Sequence, residues 1–242
     1  MKINLIPCLF VLDKEESLDI RKNDEKKLRL LVKQDNTLPS ISFEKGDGLK
    51  RFIRGYVSSI INSELFHLEQ VFTLGDSKYF DGNTIDIIYL CVANIENINN
   101  LDSNYKLIDF SITNNSSILY DKEIYKYKTE ELISNNNIDY IYNICVKDVM
   151  LEKTLLEILV SYKRLRTMID QSDIIFKFMA KEFTLEEVRM VYELVKDVVV
   201  DKSNFRKRII KYVEKVEYKV DGKGHRPTQL YTFKPLKGDI WL

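Results

Sequence analysis

The stretch 183–235, FTLEEVRMVYELVKDVVVDKSNFRKRIIKYVEKVEYKVDGKGHRPTQLYTFKP, constrains the fold more than any other part of the chain, because its hydrophobic period changes from that of a helix to that of a strand. Thr184 and Glu187 stand at the spacing of a capping box, in which each side chain satisfies the other's backbone N–H. Leu185, Val188, Tyr192 and Val195 then fall on one helical face, and the β-branched run 198–200 closes the helix. Asp201 caps a second helix, in which Phe205, Ile209, Val213 and Val216 recur at four- and three-residue steps and face inward, with 201–212 the part expected in the major groove. At about 100° per residue, Ser203, Lys207 and Lys211 project the other way, with Asn204 beside them and Arg206 and Arg208 flanking the stripe. Val216, Tyr218 and Val220 alternate with Lys215, Glu217 and Lys219 as a strand does, 221–227 form a Gly-rich tip, and Leu230, Tyr231 and Phe233 return as a second strand.

From 202 to 237 there are 11 Lys and Arg against three acids, a net of +8, in a chain with 37 charges of each sign. A helix-turn-helix followed by a basic hairpin is the winged-helix layout, with one helix in the major groove and the wing tip on the backbone or minor groove. Lys202, Arg206, Lys207, Arg208 and Lys211 are expected to hold phosphates or guanine edges, and Ser203 and Asn204 to read bases. Lys223, His225 and Arg226 are expected to follow the backbone from the wing. A charge run alone reads as a solvated helix beside a hairpin; the order cap, turn, stripe and wing favours double-stranded DNA.

The charge is unevenly divided. Residues 151–242 carry 19 basic and 14 acidic side chains, and residues 1–150 carry 18 and 23, so only the back half is expected to meet nucleic acid. The length permits one large or two modest domains, and 45% apolar residues suffice for a core. Cys8, Cys91 and Cys145 are far apart, and His67 and His225 are remote from each other, so neither a disulfide framework nor a metal site is expected, and the thiols read as small core residues. The apolar run 3–12 contains Pro7 and is too short to span a bilayer. No small-residue cleavage site follows it, so it reads as a first strand and the protein as cytoplasmic, without a membrane partner.

Further strands are predicted over 28–33, 68–74, 84–93, 119–128 and 139–145, with a charged turn at 13–27, a loop at 94–104 and a turn at 135–137. A helix is predicted over 46–61, on Leu49, Phe52, Ile53, Val57 and Ile60 or Ile61. This mixture implies an α/β layered domain. Residues 150–167 form an amphipathic helix on Leu151, Leu155, Ile158, Leu159, Tyr162 and Leu165. It either ties two domains, builds a dimer seam, or opens the C-terminal domain, with 174–179 as a helical turn in the same core.

Two groups of phrases carry a family resemblance. QVFTLGDS at 70–77, the strand IDIIYLCVAN after it, and LPSISFEKGDGLKRFI at 38–53 follow the order of the Nudix family. FTLEEVRMVYE at 183–193, DKSNFRKR at 201–208 and HRPTQLY at 225–231 resemble the Nudix-related transcriptional regulators of the NrtR family, with His225 in place of the usual wing Gly. The resemblance implies an α+β or α/β chain: a Nudix-like α/β/α sandwich over 1–149 that senses a ligand, then a linker helix and a winged helix-turn-helix domain over 150–242. With Leu38-Pro39 as anchor, the positions of the Nudix box fall on Ile41, Asp47, Gly55, Tyr56, Ser59, Ile60 and Asn62. Nudix hydrolysis needs several Glu carboxylates on one helix to hold Mg²⁺, so no catalytic residue, metal or cofactor, and no enzyme activity, is expected. The resemblance further implies a bacterial homodimeric regulator, a repressor of operator DNA, whose effector is an ADP-ribose-type nucleotide tied to NAD metabolism or a sugar-derived metabolite. Arg51, Arg54 and Asp76 are candidate ligand-binding residues by location. Two other functions compete: an active nucleotide pyrophosphatase with an accessory winged helix, and a winged helix that serves protein contacts.

Overall fold

The apolar run near the start of the chain is β1 (Lys2–Glu15), and both of its alternating sets of side chains are buried. Leu5, Leu9 and Val11 enter one core, while Ile6, Cys8, Phe10 and Leu12 enter the other. A strand covered on both faces is apolar at nearly every position, which is why this segment shows no polar alternation. The structure is a computed structural model that describes residues 2–15, 25–43, 48–75, 77–80, 82–134, 137–216 and 229–234.

β1 runs antiparallel to β2 (Glu25–Lys33) and parallel to β5 (Thr84–Asn94), whose outer neighbour is β4 (His67–Leu74). Beyond β2 the sheet continues through β6 (Tyr105–Thr113), β7 (Ser117–Tyr120), β8 (Glu123–Ser134) and β9 (Asn137–Ile144), and β3 (Ile41–Ser42) pairs with β1 off this path. Helix α1 (Leu49–Ile61) lays Ile53, Val57, Ile60 and Ile61 on the face that carries Leu5, Leu9, Tyr89 and Cys91. Helix α2 (Val149–Gln171) lays Leu155, Ile158, Leu159 and Tyr162 on the opposite face. The expected α/β/α sandwich is thus the observed one.

The second core does not stop at α2. It runs on through the 3₁₀ helix Asp173–Phe178, α3 (Leu185–Lys196), α4 (Lys202–Ile209) and the ribbon β10 (Val213–Lys215) and β11 (Tyr231–Phe233). Tyr162 is the joint. It is 1% exposed, meets Phe10 and Phe110 edge-on at 5.7 and 5.4 Å between ring centroids, and donates its hydroxyl to the Val195 carbonyl at 2.9 Å. Arrangements of this kind are favoured by the ring quadrupoles.

Asp86, Lys153 and Glu157 are buried together. Lys153 Nζ stands 2.5 Å from Asp86 Oδ2 and 2.7 Å from Glu157 Oε1, and Asn4 donates to Asp86 Oδ1 at 2.8 Å. Burial pushes Glu157 up to about 7, against the pull of Lys153.

Several sequence expectations shift. Segment 119–128 is two strands, not one, because Asp121 and Lys122 both take positive φ (44° and 73°) and reverse the chain. That geometry fits a two-residue hairpin turn. β6 lies in a segment assigned no element from the sequence, and β1 and β2 extend into the region read as a charged turn. The predicted helix 46–61 begins at Leu49, after Gly48 with φ 95°. The first helix of the C-terminal pair ends at Lys196, where Asp197 turns left-handed, before the β-branched run. Cys8 and Cys91 are buried, but Cys145 is exposed, one residue out of phase with buried Ile144 at the end of β9.

Two outcomes follow. Tyr162→Phe leaves the Val195 carbonyl without its buried donor and should cost about 1–3 kcal/mol, seen as a lower urea midpoint; an unchanged midpoint would contradict the joint. Glu157 holds a proton in the folded chain that the unfolded chain, at 4.5, releases. Its stabilisation is therefore complete below pH 4.5 and is lost as pH rises through about 7. Glu157→Gln should flatten the fall in stability across that window, and an identical pH slope in both proteins would refute the assignment.

Candidate nucleic-acid interface

The helix pair is built as its caps dictate. Thr184 Oγ1 accepts from the Glu187 N–H at 3.1 Å, and Glu187 Oε2 accepts from the Thr184 N–H at 2.8 Å, so the capping box is closed. Asp201 Oδ1 accepts from the Asn204 N–H at 2.8 Å and opens α4. Phe205 and Ile209 are buried and fix α4 to the core. Its remaining predicted contacts, Lys202, Ser203, Asn204, Arg206, Lys207 and Arg208, are exposed, as is Lys211 in the 3₁₀ turn Ile210–Tyr212. The helix carries no acid along its length. It ends seven residues before Val216, the last residue of the expected stripe: Val213 is still buried, but as the first residue of β10.

These cations differ in how far they are already engaged. Lys202 pairs with Glu186 at 3.2 Å, and Lys211 lies 4.7 Å from the centre of the Tyr212 ring. Arg206 reaches the Tyr231 hydroxyl at 3.5 Å. Arg208 reaches Asp170 at 3.2 Å and lies over the Tyr192 ring. Lys207 has no ion pair or ring contact among the described residues.

Asp170, near the end of α2, is a hub. It accepts from Tyr192 at 2.9 Å and Lys196 at 2.6 Å as well as from Arg208. Burial pushes its carboxyl up, but these hydrogen bonds outweigh burial and hold it below the usual value. Arg166, one turn earlier, donates to the Lys196 carbonyl and to Asn114 Oδ1, and the Asn114 N–H donates to Asp197 at 2.7 Å. Asn114 belongs to the turn between β6 and β7, so the sheet, α2, α3 and α4 are joined at one place.

In the ribbon Val213 pairs with Phe233 and Lys215 with Tyr231, and Phe233 stacks on Phe176 with 4.4 Å between centroids. The wing-tip candidates Lys223, His225 and Arg226 lie outside the described residues, as do residues 217–220 of the strand predicted before them.

On the other side of the sheet, α1 carries no Asp or Glu. Tyr56 shares a hydrogen bond with the Tyr105 hydroxyl at 2.9 Å, Ser59 bonds the Tyr56 carbonyl at 2.8 Å, and Ile60 is buried. Asp47 and Asp76 lie outside the described residues. Arg51 is exposed and Arg54 lies over the Phe66 ring at 4.7 Å.

Two cavities stand out. One, of about 640 Å³, opens between the sheet and the first half of α2, with Asn4, Asp86, Lys153 and Glu157 in its lining. The other, of about 770 Å³, lies between α1 and the ribbon and includes Arg54, Lys181 and Phe233. Arg54 lines the second of these, and Arg51 lines neither. Lys153 and Glu157 were not singled out from the sequence. Glu157 stands about 200° around the helix from Leu155, the side that an amphipathic pattern assigns to solvent. Its only signal was the acid Asp86 in an otherwise apolar strand.

Residues 175–233 match the family described as the NrtR DNA-binding winged helix domain. Comparison of the sequence with curated proteins finds no match. Among solved structures, NrtR of Shewanella oneidensis in complex with a 27mer DNA superposes with a TM-score of 0.64 at 15% identity, covering 96% of this chain and 93% of that one. A second crystal structure of the same protein gives 0.65 at 15% identity, covering 97% and 94%. A MutT/nudix family protein from Enterococcus faecalis gives 0.61 at 15% identity, covering 97% and 88%. Residues 175–233 are therefore an NrtR-type winged helix domain, and the chain as a whole shares the fold of the NrtR and MutT/nudix structures.

Proposed function

We propose that the chain is a ligand-responsive transcriptional regulator, a repressor that binds operator DNA as a homodimer. The observation that carries this reading is the acid-free outer face of α4, with five exposed cations, Lys202, Arg206, Lys207, Arg208 and Lys211, on a winged helix whose family is DNA-binding. Set in a major groove, that face presents Ser203 and Asn204 to base edges and its cations to phosphates. The wing residues Lys223, His225 and Arg226 follow the backbone beside it. Two copies on a twofold axis call for a palindromic site with half-sites about 34 Å or a multiple apart.

In this reading residues 1–149 sense the effector, an ADP-ribose-type nucleotide or a sugar-derived metabolite, and residues 150–242 hold the DNA. The transmitting element is α2. Lys153 and Asp170 are 17 residues apart on it, about 25 Å at 1.5 Å per residue. A ligand at one end changes DNA affinity to the extent that it binds the two orientations of α2 unequally. The body is not a hydrolase, since a helix without carboxylates cannot hold the Mg²⁺ that pyrophosphate cleavage requires. No helix among the described residues is long and apolar enough to cross a membrane, in keeping with a cytoplasmic regulator.

The test is binding to a duplex from the protein's own upstream region over a range of salt. Lys207→Ala should weaken binding to all sequences alike and lower the slope of log affinity against log salt by about 1. Arg206→Ala should also weaken operator binding; unchanged affinity would remove α4 from the groove. Arg208→Ala should in addition lower thermal stability, because it breaks the contact with Asp170. Affinity no better than for random DNA, in a genomic selection as well, would assign the winged helix to protein contacts.

A further inference from the structure

The cavity of about 640 Å³ between the sheet and α2 has a built floor and a sorted rim. Its floor is the buried cluster Asn4, Asp86, Lys153 and Glu157, in which donors and acceptors alternate. Four aromatic side chains, Tyr79, Phe80, Tyr120 and Tyr125, also line it. Among the described residues, the rim carries Asp35, Asp121, Glu123 and Asp148 against the single cation Lys33.

This arrangement selects by charge. A pyrophosphate or sugar phosphate would bring two or more negative charges among four rim carboxylates, with one lysine to offset them, and like charges at such range repel. A cationic ligand would meet the Lys153 ammonium, which already takes up the charge of the floor at 2.5 and 2.7 Å from its two carboxylates. A hydroxyl both donates and accepts, so a polyol can bond to Lys153, Asn4 and the carboxylates in turn. The C–H face of a sugar ring is apolar and lies well against an aromatic ring such as Tyr125. The volume falls in the range of small-molecule sites, about 300–1,000 Å³.

We propose that this cavity is the effector site and that its ligand is a neutral, unphosphorylated sugar or sugar alcohol, not a nucleoside diphosphate derivative. The floor residues Lys153 and Glu157 lie on α2, the helix that holds Arg208 of α4 through Asp170, so a sugar on the floor bears directly on the recognition helix.

The proposal depends on the regulator reading for its purpose, so the experiment omits DNA and fails separately. Isothermal calorimetry on the full chain is run with individual neutral aldopentoses, aldohexoses and their alditols, and with ADP-ribose, glucose 6-phosphate and spermidine. At least one neutral compound should bind, and the three charged probes should give no heat. Glu157→Gln should weaken that binding about tenfold, as expected for a lost hydrogen bond to a charged group. Tyr125→Ala, at a partly exposed position of the lining, should weaken it about fivefold through lost ring contact and guards against misfolding of the floor variant. Binding of a charged probe that is lost in the same variants overturns the ligand class. Absence of binding by every neutral compound, or binding that both variants leave intact, overturns the site. Sugar binding by a chain that ignores its operator would keep the cavity and sink the regulator.

Discussion

Helix α2 is buried on more than one side, and most of what is distinctive in the molecule depends on that. Its Tyr162 closes an aromatic cluster with Phe10 and Phe110 of the sheet while its hydroxyl satisfies the last turn of α3 at Val195. A single side chain therefore stands in the core of the body and in that of the winged helix. Interiors are close-packed and transmit displacement because neighbours cannot slide past one another freely. A winged helix attached by a flexible linker would move independently of the sheet; one that shares a core moves with it.

The polar contacts of α2 divide along its length. Near its start Lys153 and Glu157 meet Asp86 of the sheet, and near its end Asp170 holds Tyr192, Lys196 and Arg208. The two clusters have different physical standing. A buried ion cluster gains little stability over packed apolar side chains, since desolvation offsets most of the attraction. Three ionisable groups on a cavity floor are thus a poor device for stability alone and a good one for presenting donors and acceptors to a polar ligand. The Asp170 cluster is partly solvated, and its effect is directional: it fixes the angle at which α4 leaves the core.

The starts of the two helices of the winged helix were legible in the sequence residue by residue. Their signals are local: a capping box is closed by two side chains three positions apart, and an N-cap by a side chain and a backbone N–H within one turn. Such contacts form wherever the segment goes. The central strands were legible for another reason, since burial on both faces leaves an unbroken apolar run. The outer hairpins were read poorly. β6 carries the strand period, with Ile108, Phe110 and Ile112 buried and alternating with Asp109 and Ser111, and the sequence reading passed over it, whereas the split between β7 and β8 rests on two residues at positive φ.

By itself the sequence determined the class of each half: an α/β body, and a basic helix-turn-helix with a ribbon, in which 202–209 of the second helix is free of acids. It also determined that α1 has no carboxylate chain for a metal. Only the tertiary structure decided that Lys153 and Glu157 are floor and not surface, that Arg208 is held by Asp170 while Lys207 has no ion pair among the described residues, and that the two halves share one core. Periodicity tells which side of a helix is apolar. It does not tell what covers the polar side, because that depends on strands more than sixty residues away in the chain, as with Asp86 and Lys153.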